Sequence, residues 1–398
     1  MSSSPFARER GSSLERALSL RHVRWLEVDW HVLVVALALC ALGLVFVHAM
    51  DQADEYFLRG DIDFAKQAER VVLTLPALLF GLLVRPRWLR RSAWLVFVVA
   101  LILLLLVPLV GEVRNGARRW IQLPRFDLQP SELAKLGVIV ILARALYTTR
   151  LKRWRDWLLP LGLAILPMGL VALQPDLGTA MTLVPITLGM LYAAGARLRV
   201  LAGGVLLVFL LGVGAVRFGI VHEYQAQRVE TWLDSLTPDD LIANRNGAAF
   251  HTYQARVAIG NGGWLGTGLG QGVANEAAHL PERETDSIFA VIAEETGFVG
   301  TAGLLALYTL LVILLFSTAG HVRERFSRLV VTGVGLYFAS HLFINVSVNL
   351  GLVPMTGVPL PLFSTGGSSL LVTFLALGLA VGLAAHREPS LDEDAFRE

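Results

Sequence analysis

The chain has 398 residues, of which 55% are hydrophobic and 17% are charged, and its formal net charge at pH 7 is +2. A soluble domain carries about 25% charged residues, so this composition excludes a soluble enzyme and favours a protein that crosses a membrane several times. The small net charge gives no electrostatic basis for binding nucleic acid, and the single cysteine, Cys40, excludes an internal disulfide or a multi-thiolate metal site.

Ten apolar segments approach or exceed the length of about 20 residues that a bilayer-spanning helix needs. They are residues 30–50, 64–84, 92–111, 131–147, 157–173, 178–195, 198–219, 288–317, 329–350 and 366–386. The polar residues 1–29 lack a small-residue cleavage site, so the first segment is interpreted as a retained span rather than a signal peptide. We therefore expect an all-α polytopic membrane protein, with one membrane domain (30–386) between an N-terminal tail (1–29) and a C-terminal tail (387–398).

The distribution of Lys and Arg predicts the orientation of these spans. The even-numbered connections are basic and nearly free of acids, as in residues 85–91 and 150–155, whereas the odd-numbered ones are acidic, mixed or neutral. Because Lys and Arg accumulate in cytoplasmic loops, both termini are predicted to be cytoplasmic.

The long polar connection between the seventh and eighth spans, residues 220–287, then lies on the outer face. A loop of this length usually carries function or has its own structure. Its second half, YQARVAIGNGGWLGTGLGQG (253–272), interleaves glycines with apolar residues, and we expect it to pack on the membrane surface.

Three groups of charged residues lie near the predicted outer ends of the spans, where charge is costly and usually functional. The first is GARRWIQLPRFDLQPSELAKL (116–136), whose Arg118, Arg119 and Arg125 oppose the positive-inside trend and suggest an anionic ligand. Within it, Glu132 and Lys135 are i,i+3 neighbours on one helix face. They are interpreted as a structural ion pair, a ligand site, or both.

The second group is FAKQAERV (64–71), in which Lys66 and Arg70 share a helix face. The alternative interpretation is that they extend to the lipid headgroups, and for Lys66 alone this alternative is favoured.

The third group is HLPERETDSIFAVIAEETGFVG (279–300), with Asp286 at the mouth of the eighth span. Asp is a favoured N-cap residue, which would explain Asp286 alone. It would not explain the other charged residues of the same mouth, which are His279, Glu282, Arg283 and Glu284. Burial raises the pKa of a carboxyl and nearby cations lower it, so an acid at this boundary is a candidate base.

Six segments in order resemble the SEDS (shape, elongation, division and sporulation) family of RodA and FtsW glycosyltransferases. They are FAKQAER, GARRWIQL with FDLQPSELAK, QPDLGTA, YQARVAIGNGGWLGTGLGQG, LPERETDSIFAVIAEETGFVG and NVSVNLGLVPMTGVPLPLFSTGGSSL. The stretches LPERETD, VIAEETG and MTGVPLPL are more similar to RodA than to FtsW. Ser287 replaces the aromatic residue that the family usually has after the Asp, and Thr365 replaces a usual Tyr, so the shape of the pocket is expected to differ.

The resemblance implies a peptidoglycan polymerase for cell elongation and shape, acting at the outer face of the cytoplasmic (inner) membrane. Its substrate would be lipid II, the undecaprenyl-diphosphate-linked disaccharide-pentapeptide. The family's essential acid falls on Asp286, and its conserved polar positions fall on Glu132, Lys135, Arg70 and Arg119. The implied partner is a class B penicillin-binding protein, a transpeptidase.

The chemistry of this substrate suggests roles for the charged residues. An α-linked donor and a β-linked product require inversion, with a base that deprotonates the attacking hydroxyl. Asp286 is the candidate base. The leaving diphosphate needs cations, for which Arg119, Lys135 and Arg70 are the first candidates, with Arg118 and Lys66 as further substrate-binding candidates. Glu132 is a candidate to orient Lys135 or to help hold a metal. A divalent cation, Mg²⁺ or Mn²⁺, suits this chemistry, although no dedicated metal motif is present.

Two alternatives come from other functional classes. A flippase or transporter for lipid-linked sugars should line a path through the bilayer with cations, whereas here the inner halves of the spans are nearly free of charge. A non-catalytic scaffold for a penicillin-binding protein predicts that Asp286→Asn has no consequence.

Overall fold

The computed structural model describes residues 25–56, 62–114, 117–122, 127–149, 151–174, 176–217, 223–237, 241–242, 247, 249–273 and 280–386. Its helices are α1 Trp30–Tyr56, α2 Phe64–Leu83, α3 Pro86–Val110, α4 Pro130–Tyr147, α5 Arg155–Leu173, α6 Leu177–Ala193, α7 Leu198–Arg217, α8 Glu223–Asp234, α9 Phe250–Asn261, α10 Ile288–His321, α11 Arg325–Asn349 and α12 Gly367–Ala385. All but α8 and α9 coincide with the predicted apolar segments. Among the described helices, α1, α3, α5, α10, α11 and α12 are long and apolar enough to cross a membrane.

The helix ends follow local rules of capping. Asp63 and Asp176 are the N-caps of α2 and α6, and their carboxylates accept the backbone N–H of Lys66 and Thr179, at 2.9 and 3.2 Å. The third predicted segment begins at Pro86 rather than at residue 92, because the arginine-rich turn before it is also helical and has proline in its first turn.

The prediction of an all-α fold is wrong between α3 and α4. An antiparallel sheet lies there, in the order β1 (Glu112–Arg114), β2 (Ala117–Gln122) and β3 (Asp127–Leu128). Strands of two to six residues are too short to produce a clear period-two pattern, so hydropathy does not reveal them.

The long connection after α7 contains the helices α8 and α9, followed by a glycine-rich loop. This loop is hydrogen-bonded to α10 where α10 is broken at Gly297, which has φ +65°. Phe298 N–H donates to the Gly263 carbonyl at 2.8 Å, and Thr267 N–H donates to the Glu294 carbonyl at 3.0 Å. The glycine-rich segment therefore packs on α10, and its contact with the membrane surface stays a prediction.

The helices α4, α11 and α12 form the centre of the bundle, and α12 packs along α2 at very short range. A Cβ atom added to Gly378 would lie 2.1 Å from the Leu78 carbonyl oxygen, and one added to Gly382 would lie 2.4 Å from that of Leu82. Small residues at such a contact let two backbones approach closely, which is a usual basis of helix association in membranes.

We expect Gly378→Ala to destabilise the protein, because its methyl group meets backbone atoms that no side-chain rotation can move away. Overpacking of this kind typically costs about 1–3 kcal/mol. The matched control is Gly303→Ala on α10, where an added Cβ meets nothing within 4 Å and helix propensity favours alanine. Thermal unfolding in detergent micelles should show a lower midpoint for Gly378→Ala alone, and equal midpoints for the two variants would contradict the close contact.

Candidate functional site

A cavity of about 570 Å³ lies at one end of the bundle. Its wall comes from β2, the N-terminal ends of α4, α6 and α12, the helices α8 and α9, the loop before α10, and the loop between α11 and α12. Five charged side chains line it, namely Arg119, Asp176, Arg228, Glu282 and Asp286. The cavity thus joins acids and arginines that are far apart in the sequence.

Asp286 lies in the loop two residues before α10, with its side chain in the cavity wall. The N-cap of α10 is Ser287, and it makes no side-chain capping bond, so Asp286 is not the helix cap. Gly357 lies directly against the carboxylate, because a Cβ added there would be 3.0 Å from Asp286 Oδ2. This glycine has φ +69°, a conformation that other residues adopt at a cost.

The surroundings of Asp286 disfavour its charged form. Burial, followed by the negative charges of Glu282 and Asp176, raises its pKa to about 7, against the opposing effect of Arg228. Burial also raises the pKa of Glu284 in the same loop. Near neutral pH, Asp286 therefore exchanges between its acid and base forms, which suits a group that accepts a proton during a reaction.

The loop that carries Asp286 is held from several sides. The Thr285 carbonyl accepts the Ser364 hydroxyl at 2.6 Å, and the Glu284 carbonyl accepts Thr365 N–H at 2.8 Å and the Thr365 hydroxyl at 3.2 Å. Arg283 points away from the cavity and forms a buried ion pair with Asp54 at the end of α1. The loop is therefore fixed by the bundle itself.

Both departures from the family pattern are at this loop or in contact with it, since Ser287 follows Asp286 and Thr365, from the loop between α11 and α12, donates to the Glu284 carbonyl. The Ser287 hydroxyl is 3.3 Å from His251 Nε2, and the same nitrogen is 2.8 Å from the Pro281 carbonyl, to which it can donate. Burial lowers the pKa of His251, so its ring is neutral at pH 7. In this chain, polar contacts of Ser287 and Thr365 thus occur where the family usually has aromatic side chains.

Two arginines from different elements line the cavity. Arg119 comes from β2, and Arg228 comes from α8, where its guanidinium donates to the Met355 carbonyl at 2.8 Å. Arg118 precedes Arg119 in the strand, so its side chain points to the other face, where it is exposed and donates to the Pro108 carbonyl at 3.0 Å. Of the predicted pair, only Arg119 lines the cavity.

Glu132 and Lys135 meet in a buried cluster outside the cavity wall. Lys135 Nζ lies 2.7 Å from Glu132 Oε1 and 2.8 Å from His341 Nε2, and His341 Nδ1 donates to the Tyr337 carbonyl at 2.8 Å. The start of α4 at Pro130 turns both charged residues towards α11. The predicted ion pair is present, and the predicted contact of these two residues with substrate stays a prediction.

The remaining predicted residues lie elsewhere or outside the described chain. Lys66 is 70% exposed and pairs with Asp63 at 3.0 Å, and Arg70 is half-buried on the same helix. Neither is part of the cavity wall, and their role in binding substrate stays a prediction. Arg125 and His279 lie outside the described residues.

Sequence reasoning missed several polar groups of the site. Asp176 lies in the motif QPDLGTA, and its Oδ2 accepts from Ser131 at 3.1 Å and from Gln129 at 3.2 Å. Arg228 could have been found as an arginine that opposes the positive-inside trend in an outer loop. Asn345 and Asn349, four residues apart on α11, are buried amides in an apolar segment, which is the signal of a structural or functional contact.

The model of a family described as cell cycle proteins, covering FtsW, RodA and SpoVE, matches residues 29–389. The chain belongs to this family. A probable peptidoglycan glycosyltransferase FtsW of Trichlorobacter lovleyi is 33% identical over 383 residues, covering 91% of this chain and 94% of the relative. The peptidoglycan glycosyltransferase MrdB of Escherichia coli is 36% identical over 304 residues, covering 76% of this chain and 80% of the relative.

Solved structures agree with this assignment. A chain from a structure described as showing structural coordination of polymerization and crosslinking by a peptidoglycan synthase complex is 32% identical, with a TM-score of 0.77, and covers 92% of this chain and 100% of its own. The rod shape determining protein RodA of Thermus thermophilus is 30% identical, with a TM-score of 0.66, and covers 90% of this chain and 97% of its own. The predicted family is confirmed, and the helices have a RodA-like arrangement.

The acids of the site do not assemble a conventional metal centre. Within the part of the chain that the structure describes, no three His, Cys, Asp or Glu side chains are grouped so that they could hold a metal ion. The compatibility of the reaction with Mg²⁺ or Mn²⁺ stays a prediction.

The buried cluster around Lys135 yields a test of its role. Lys135→Met leaves Glu132 buried without its cation, which typically costs about 3–5 kcal/mol, whereas replacing both partners is often close to neutral. We expect thermal unfolding in detergent to show a large loss of stability for Lys135→Met and recovery in the double variant Glu132→Gln/Lys135→Met. A single variant as stable as the wild type would contradict a structural ion pair and would favour a role in ligand binding.

Proposed function

We propose that this chain is a peptidoglycan glycosyltransferase that polymerises lipid II into glycan strands for cell elongation and shape. The observation that carries the proposal is the Asp286 carboxyl, with a pKa of about 7, in a cavity that also holds Arg119 and Arg228. Its relatives named peptidoglycan glycosyltransferases align over most of their length.

The reaction is a single displacement with inversion at the anomeric carbon. Asp286, as carboxylate, removes the proton from the 4-hydroxyl of the acceptor GlcNAc, and the oxygen forms a bond to the anomeric carbon of the donor. The bond from that carbon to the diphosphate breaks, and its electron pair leaves with the diphosphate-lipid. A positioned base contributes typically about 10²–10⁴-fold to such a reaction.

Charge stabilisation of the leaving diphosphate comes from the arginines of the cavity. Arg119 and Arg228 lie on different elements and can approach one diphosphate from two sides, which preorganises positive charge where negative charge develops. We also propose contacts to the substrate outside the cavity wall, from Lys66, Arg70 and Arg118. Assistance by Mg²⁺ or Mn²⁺ is a companion proposal that addition of a chelator to the same assay tests.

We propose ten membrane spans, with both termini cytoplasmic and the cavity facing outwards from the inner membrane. The arginine- and lysine-rich connections support this orientation. The cavity is built from the N-terminal ends of α4, α6, α10 and α12 and the C-terminal end of α11. This topology assigns every one of those ends to the outer face, where lipid II would present its sugars.

The proposed partner is a class B penicillin-binding protein, which would cross-link the strands. The support is the likeness to a chain of a peptidoglycan synthase complex over 92% of this sequence. A transpeptidase that is co-expressed as a separate chain should co-purify with this protein. Either a co-expressed or a fused transpeptidase should raise the rate of polymerisation.

The first test is polymerisation of labelled lipid II by the purified protein with and without its transpeptidase, in the presence of moenomycin to silence contaminating enzymes. We expect glycan strands from the wild type and at least a hundredfold fewer from Asp286→Asn, which cannot accept the proton. The matched control is Asp234→Asn, an exposed acid on α8 outside the cavity wall, which should keep wild-type activity.

The outcomes separate the functional classes. Equal activity of Asp286→Asn and wild type would contradict the proposed role of Asp286 as the base. Absence of strands from the wild type, together with lipid II transport in vesicles, would favour the flippase; absence of both activities would favour the scaffold.

The second test is the pH profile of polymerisation. The base form of Asp286 is active, so the rate should rise about tenfold per pH unit below pH 7 and level off above it. Glu282 raises the pKa of Asp286, so Glu282→Gln should move the midpoint to lower pH. An unchanged midpoint in Glu282→Gln, or a wild-type midpoint near pH 4, would contradict this electrostatic account.

A further inference from the structure

Two buried asparagines of α11 are bonded to the backbone of Asp286 itself. Asn345 Nδ2 and Asn349 Nδ2 each donate to the Asp286 carbonyl oxygen, at 3.0 Å in both cases. The two residues are four apart, so they lie on one face of the helix, and both are almost completely buried. A carbonyl oxygen has two lone pairs, and here both are engaged by the same helix.

The remaining donors of the two amides are also used. Asn345 Nδ2 donates to the Val358 carbonyl at 2.8 Å, and Asn349 Nδ2 donates to the Asn345 carbonyl at 2.9 Å. Because these partners are carbonyl oxygens, the amide nitrogen of each side chain must face them. In the described part of the chain, Asn349 Oδ1 is buried and accepts no hydrogen bond, so this asparagine is oriented for donation at some cost in stability.

The second bond of Asn345 links Asp286 to the loop between α11 and α12. Val358 follows Gly357, the residue that lies against the Asp286 carboxylate. The same amide therefore fixes the backbone of the acid and the backbone that limits where its carboxylate can go. A displacement of about 1 Å in a catalytic group can cost about a hundredfold in rate.

We propose that Asn345 and Asn349 are positioning residues that hold Asp286 in the place from which its carboxylate reaches the acceptor hydroxyl. This inference rests on the proposed glycosyltransferase function, in which Asp286 is the base. The two amides act through the backbone of Asp286 and do not touch the substrate, since neither lines the cavity. Their loss therefore changes the chemical step and leaves substrate binding intact.

The other contacts of the loop cannot replace this pair. Ser364 and Thr365 hold the carbonyls of Thr285 and Glu284, and the Arg283 guanidinium is bound to Asp54. These contacts fix the loop one to three residues before Asp286. Among the described residues, only the two asparagines donate hydrogen bonds to Asp286 itself, so without them the loop can stay in place while Asp286 turns.

The test compares Asn345→Ala and Asn349→Ala with the wild type, Asp286→Asn and a matched control. The control is Ser340→Ala, a buried residue of the same helix whose hydroxyl donates only within α11, to the Leu336 carbonyl at 2.6 Å. Polymerisation of lipid II is measured per folded molecule, counted as the monodisperse fraction in size-exclusion chromatography. The kcat, the KM for lipid II and the pH midpoint of the rate are determined for each variant.

We expect each asparagine variant to lower kcat about ten- to a hundredfold with KM within about threefold of the wild type. We also expect the pH midpoint to fall by at least half a unit, because a carboxylate released towards the cavity is better solvated, while Glu282, Glu284, Asp176 and Arg228 still face it. Ser340→Ala should match the wild type in all three quantities.

Several results would overturn the proposal. They are a kcat per folded molecule within threefold of the wild type, a fall in kcat without a shift of the midpoint, a rise in KM that accounts for the loss, or a complete loss of folded protein in both variants. Wild-type protein that makes no glycan would instead count against the proposed function. An active wild type, an inactive Asp286→Asn and fully active asparagine variants would count against the positioning role alone.

Discussion

Desolvation is the constraint on which the arrangement of polar groups in this bundle depends. A charge placed among apolar helices needs a partner or must change its protonation state. Most buried cations here have partners, as Lys135 has Glu132 and His341, and Arg283 has Asp54. Arg283 is three residues from Asp286, yet its guanidinium pairs with Asp54 of α1 rather than with Asp286. Burial, together with an excess of negative over positive charge around the cavity, consequently raises the pKa of Asp286.

The same constraint explains why the buried ion pairs have a structural role while other charged groups line the cavity. The cluster of Lys135 joins α4 to α11, and the pair of Asp54 and Arg283 joins α1 to the loop of Asp286. These contacts are closed and have little access to water, so they fix the helices that form the cavity. The cavity keeps the groups that a substrate can still reach, which are Asp286 and the arginines of β2 and α8.

Sequence reasoning predicted the long helices well, because a run of apolar residues is a strong signal that needs no knowledge of neighbours. It also named Asp286 and Arg119, which both line the cavity and whose roles stay predictions. It could not separate Arg118 from Arg119, because this separation depends on a short strand that hydropathy does not reveal. It could not place Lys135 outside the cavity, because the direction of α4 relative to α11 is decided by tertiary packing. Asp176 and Arg228 were missed for a related reason, since loops distant in sequence bring them to the site.

The C-terminal end of α11 contacts the elements that carry both the proposed base, Asp286, and one proposed cation for the leaving group, Arg228. The last carbonyls of a helix lack partners within it and attract donors and cations. Here Arg256 donates to the carbonyls of Leu350 and Gly351, at 3.1 and 3.2 Å, and Trp232 of α8 donates to the Gly351 carbonyl at 3.2 Å. These bonds attach α8 and α9 to the end of α11, and α8 carries Arg228. In the last turn of α11, the side chains of Asn345 and Asn349 donate hydrogen bonds to the Asp286 carbonyl. The proposed base and one proposed cation for the leaving group are thus both attached to the C-terminal end of one helix.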